Sequence, residues 1–87
     1  MQAGTISAQE LSYKGVMDAE GRDIGELYNL IVDAMTGILT ELVVKPASGL
    51  DTRGFKKEDE YIIIPIEAVK SIKDVIILDG KKMRERA

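Results

Sequence analysis

Three consecutive carboxylates, Glu58, Asp59 and Glu60, are the densest set of groups able to hold a hard cation or to act as acid and base. Lys56 and Lys57 adjoin them, and the Asp-x-Asp-x-Asp-Gly spacing of a calcium loop is missing. The trio is therefore expected as a solvated loop face, and no metal site is assigned. Hydrolysis by paired carboxylates needs two of them facing each other across a cleft, and nothing in the spacing points to one. Gly21 and Gly25 lack the Gly-x-Gly-x-x-Gly pattern and a following helix to hold a phosphate, and Gly80-Lys81-Lys82 lacks the earlier glycine of a Walker loop. The remaining chemistry is basic. Lys81, Lys82, Arg84 and Arg86 would suit RNA or an anionic surface, but no aromatic stands among them to stack a base.

The chain contains no histidine and no cysteine. Imidazole bases, serine–histidine nucleophiles, thiol chemistry, zinc fingers and disulfides are excluded together. Carboxylates, lysines, tyrosines and hydroxyls alone would have to carry any reaction. No catalytic residue and no cofactor is assigned, and the chain is read as a non-enzyme.

The elements that must position these residues follow from periodicity. With 87 residues, 45% hydrophobic and 31% charged, the chain has the make-up of one small globular domain. No apolar run approaches the ~20 residues needed to cross a bilayer, so a cytoplasmic protein is expected. Residues 1–10 form an N-terminal segment in which Ser7 and Glu10 fit a capping box around one helical turn. A barrel domain over 11–79 and a basic tail over 80–87 complete the division. The tail carries 4 − 1 = +3, against 8 − 14 = −6 for residues 1–80.

Within the domain, glycines 15, 21 and 25 punctuate a short hairpin. A strand over Ile24–Val32 places Ile24, Tyr28, Leu30 and Val32 on one face and Leu27 and Ile31 on the other. A turn over Asp33–Gly37 follows, with Asp33 able to bond the turn backbone and Gly37 free to take positive φ. Ile38–Val44 reads as the return strand, residues 46–60 as a long loop, Tyr61–Pro65 as a strand, Ile66–Ser71 as a helical turn or bend, and Val75–Leu78 as the last strand. The fold class is all-β, a small antiparallel barrel.

A half-solvated strand should alternate apolar and polar residues. Leu27 with Ile31, Leu39 with Val43, and the run Ile62-Ile63-Ile64 instead put apolar side chains on both faces. Something must cover the outer face: the chain's own loop and helical turn, a second copy, or another protein. Tyr28, Leu39, Val43 and Phe55, the one aromatic of the long loop, are the candidate interface residues, and Phe55 fits equally a plug that folds back beneath its loop.

Gly15-Val16, Gly21-x-x-Ile24-Gly25-x-Leu27, Ile31-Val32-Asp33-x-x-Thr36-Gly37-Ile38, Leu42-Val43-Val44, Ile64-Pro65 and Val75-Ile76-Ile77 together resemble the PRC-barrel domain. The resemblance implies a six-stranded barrel with one or two helical turns, used as a docking module. Relatives include the cytoplasmic part of the photosynthetic reaction-centre H subunit, the C-terminal domain of the ribosome-maturation factor RimM, and stand-alone archaeal proteins. The chain most resembles the last type, some of which are associated with FtsZ-based cell division beside the membrane anchor SepF. That resemblance implies an adaptor recruited to the division site by a SepF-like partner, and the apolar side chains on both strand faces add the expectation of a homodimer. A ribosome-maturation module of the RimM kind and a small-ligand-binding regulator are the alternatives.

Overall fold

The central hairpin closes on Asp33. Its Oδ1 accepts the N–H groups of Met35 and Thr36, its carbonyl accepts the N–H of Gly37, and its own N–H donates to Ile38. Gly37 takes the positive φ of 75° expected of it.

The computed structural model describes residues 14–83. The elements in chain order are β1 (Gly15–Asp18), β2 (Asp23–Val32), β3 (Leu39–Pro46), β4 (Lys56–Glu58), β5 (Tyr61–Pro65), a 3-10 turn (Ile66–Ala68), β6 (Val69–Ile72) and β7 (Ile76–Leu78). They form one sheet in the order β4-β5-β3-β2-β1-β7-β6. The capping box proposed at Ser7 and Glu10 lies outside the described residues.

This all-β architecture differs from the expected six antiparallel strands in three respects. First, Lys56–Glu58, placed in the long loop by its lack of apolar period, pairs with β5 as a hairpin, Lys56 opposite Ile63 and Glu58 opposite Tyr61. Second, the stretch read as a helical turn or bend divides. Its first three residues make the 3-10 turn, and Val69–Ile72 continues as β6 against β7. Third, β1 and β7 run parallel, Val16 opposite Ile76. With seven strands the sheet ends on β4 and β6, and no ladder joins these two edges among the described residues.

The sheet nevertheless wraps one core. Val16 from β1, Ile24 and Leu27 from β2, Leu42 and Val44 from β3, Ile62 and Ile64 from β5, and Ile76 and Leu78 from β7 belong to a single buried cluster. Strands at both ends of the sheet can share a cluster only if the sheet is curled. Each aliphatic side chain buried this way contributes about 1.5–3 kcal/mol. Met83 also enters the cluster, fixed by a turn in which the N–H groups of Lys82 and Met83 donate to the Asp79 carbonyl. The chain is thus tied to the core three residues beyond Gly80. Lys81 and Lys82 are exposed there, while Arg84 and Arg86 lie outside the described residues.

Three of the four bulges among the described residues, those on β2 and β3, set which side chains face in there, and the fourth skips Lys70 in the β6–β7 pair. The β1–β2 register skips Ile24, the β2–β3 register skips Tyr28, and further along it skips Thr40. Each extra residue reverses the alternation of the strand. Ile24 and Leu27, an odd number of residues apart, are consequently both buried, and Leu30 rather than Ile31 packs on the core. The expected two-faced division of β2 fails at Leu27, which faces in, and at Tyr28, which the bulge turns out, while Leu30 faces in and Ile31 out as the alternation requires. Asn29 and Thr40 steady these sites. The Asn29 Oδ1 accepts the N–H of Leu30, and the Thr40 hydroxyl donates to the Ile31 carbonyl.

Candidate functional site

Residues directly opposite one another on neighbouring strands share a face. Lys56, Ile63, Val43 and Asn29 form one such row across β4, β5, β3 and β2, and Ile31 with Glu41 and Pro65 forms the next. These rows lie on the outer face. Ile63 is 3% exposed yet stands apart from the core cluster, because Ile62 and Ile64 on either side of it point inward.

Over these rows lies a groove of about 310 Å³, lined by Ile31, Val43, Ile63, Tyr28 and Tyr61, with Asn29, Glu58 and Asp59 at its margin. The two tyrosine rings stack, their centroids 4.4 Å apart and their planes inclined by 21°. The bulge is what brings them together, since it is Tyr28 that the register skips. The Tyr61 phenol is held above the usual tyrosine range, first by the Tyr28 hydroxyl beside it, then by burial, and further by the negative charges of Glu60 and Asp59. Lys56 Nζ lies 3.4 Å from Glu41 Oε2, so that cation is matched by its own acid. Neither Glu58 nor Asp59 has an ion-pair partner among the described residues. Asp59, at the β4–β5 turn, has a φ of 56°, a conformation that aspartate tolerates better than most residues.

The four candidate interface residues separate. Tyr28 and Val43 meet in the groove. Leu39 is half-buried against the edge of the core, at the base of the β2–β3 hairpin end. Phe55 is 5% exposed and belongs to the core cluster, so it is corrected from an interface anchor to a core residue. The long loop sends this ring and Leu50 inward and does not cover the groove. Tyr61, Ile63, Ile31, Glu58 and Asp59 were missed. The apolar run at Ile62–Ile64 pointed to Ile63, because three successive apolar residues in a strand must place one outside, and the pair Leu27 and Ile31 pointed to Ile31, while nothing in the sequence joined Tyr61, Glu58 or Asp59 to them.

A second concavity of about 270 Å³ lies at the β1–β2 turn. Its polar groups are occupied by one another. Asp18, 2% exposed, accepts the backbone N–H groups of Glu20 and Arg22 at Oδ1 and the Arg22 guanidinium at Oδ2, and that guanidinium also reaches Glu20. Burial pushes the Asp18 carboxyl up. The N–H groups of Arg22 and Glu20 and the charge of Arg22 outweigh it, leaving the carboxyl below its ordinary value. The unfolded state then binds the proton more readily than the folded state. Stability from Asp18 is complete above the unfolded pKa of about 3.9 and lost as pH falls through the lower folded value. Asp18→Asn, which puts an amide N–H against these donors, is expected to lower Tm at neutral pH by about 10 °C. It should also flatten the acid limb below about pH 4, as measured by circular-dichroism melts.

Among the described residues no group of carboxylates could hold a metal ion, and no helix is long and apolar enough to cross a membrane. The curled all-β sheet agrees with a match to the PRC-barrel domain over residues 3–84. The chain belongs to the PRC-barrel domain family. No curated protein matches it. In this PRC barrel the tyrosine groove lies on the convex side of β2, β3 and β5, and the turn that docks Met83 falls inside the matched stretch.

Proposed function

We propose that this PRC barrel is a non-enzymatic adaptor that pairs with itself and docks another protein. The observation that carries the reading is the outer groove, where the half-exposed Tyr28 and the partly exposed Tyr61, Val43 and Ile31 stay accessible to solvent although the chain has a loop long enough to cover them. Apolar surface left open in a small domain is favourable only when a partner removes it from water. The β2–β3 hairpin end supplies the second surface. Met35 is 93% exposed and Ile38 62%, with Val32 beside them, on a turn kept rigid by Asp33. A pre-ordered apolar end of this kind suits a two-fold contact with the same end of a second copy.

Met35→Lys with Ile38→Lys is expected to convert a dimer to a monomer in sedimentation velocity without lowering Tm, since neither side chain packs in the core. A wild-type chain that is monomeric at high concentration would overturn the self-association.

The more specific role is archaeal cell division beside a SepF-like membrane anchor, supported by resemblance to the stand-alone members of the family. It is tested by capture from nuclease-treated native lysate at two salt concentrations, comparing wild type with Tyr61→Ala. Division proteins that survive high salt and disappear with Tyr61→Ala support it. Ribosome-assembly factors in their place would overturn the division role and favour a RimM-like one.

A further inference from the structure

The groove carries information about the chemistry of its occupant. Its floor is aliphatic (Val43, Ile63 and Ile31), one wall is the stacked pair of Tyr28 and Tyr61, which offers an outer ring face and the ring edges, and its margin holds the carboxylates of Glu58 and Asp59. Of the cations on this face, Lys56 is matched by Glu41 and Lys45 stands opposite Glu26 on β2, and neither marginal acid has an ion-pair partner among the described residues. Lys57 does not change this balance, since it pairs opposite the inward-facing Ile62 and so belongs to the other face of β4. Two unmatched negative charges beside a π-face and an apolar floor complement a positive, planar group carried on an apolar stem. At about 310 Å³ the space is at the small end of the ~300–1,000 Å³ range of ligand pockets, enough for a few side chains.

We infer that the groove takes an extended segment of another protein in which arginine alternates with aliphatic side chains. The guanidinium lies on the tyrosine pair and bonds to Glu58 or Asp59, and a neighbouring aliphatic side chain covers Val43 and Ile63. This rests on the docking reading above and goes further by naming the chemistry of the partner. Arginine is preferred to lysine because its fork matches a carboxylate while its plane stacks on an aromatic ring.

The test uses the full chain and three labelled peptides with blocked ends, Ile-Arg-Leu-Arg-Ile and the same sequence with Gln or Glu in place of Arg, followed by fluorescence anisotropy at low salt. The Arg peptide is expected to bind about tenfold more tightly than the Gln peptide, with the Glu peptide weakest. Tyr61→Ala should cost the Arg peptide about tenfold. Glu58→Lys with Asp59→Asn should reverse the order of the Arg and Glu peptides, and asparagine at 59 keeps a residue suited to positive φ. Circular-dichroism melts verify that both variants fold.

Equal binding of the Arg and Gln peptides, both lost in Tyr61→Ala, would overturn this inference and leave the docking reading standing. If no peptide binds and Tyr61→Ala leaves every captured partner in place, both fail. Self-association abolished by Val43→Asp would give the groove to a second copy and likewise overturn the inference.

Discussion

Gly25→Ala is expected to leave the chain largely unfolded, with a loss of more than about 4 kcal/mol in denaturant titrations. A Cβ at this position would stand 2.0 Å from the Lys45 carbonyl oxygen and 3.1 Å from the Ala47 nitrogen. Those are backbone atoms of the partner strand and its exit, held by the bond from Ala47 N–H to the Ile24 carbonyl. They cannot retreat without opening the β2–β3 ladder. The φ of 150° at Gly25 adds strain for any side chain. Gly80→Ala is the matched control, because an added Cβ there meets nothing within 4 Å. It should change stability by no more than about 0.5 kcal/mol. Equal behaviour of the two variants would contradict the close approach of strands at Gly25.

Phe55→Ala is expected to cost about 3–5 kcal/mol of folding stability. The ring is one of the largest side chains of the core cluster, and removing it leaves a cavity between the sheet and the loop. At a temperature where the variant remains folded, its binding to partners should match wild type. Tyr28→Ala should show the opposite pattern, little loss of stability and clear loss of binding, since half of that residue is exposed in the groove. A Phe55 variant that is stable but unable to bind would return the residue to the interface.

These two sites show where sequence reading reaches its limit. The glycine hairpin and the Asp33 turn were legible because both depend on local conformation, which the residue types of four or five neighbours determine. The all-β class followed from repeated short apolar runs. The direction of individual side chains did not, because the bulges that skip Ile24, Tyr28 and Thr40 are set by pairing with other strands and invert the faces after them. Phe55 stayed divided between anchor and loop plug for a related reason. An aromatic between polar residues looks like a surface anchor until β4, three charged residues with no apolar signature, pairs beside it and returns the loop to the core. Tyr61 could not be joined to Tyr28 without knowing that β5 lies next to β3 and β3 next to β2.

The parallel pairing of β1 and β7 has a kinetic consequence. Val16 and Ile76, though 76 − 16 = 60 residues apart, are neighbours in the sheet, and β6 is attached only through β7. A ribosome must therefore have passed Leu78 before the first strand can find its second neighbour. Until then β1 presents an unpaired edge, and the β2–β3 hairpin is the largest unit that can form from local contacts. Contacts of such long separation slow two-state folding towards the millisecond-to-second range despite the small size of the domain.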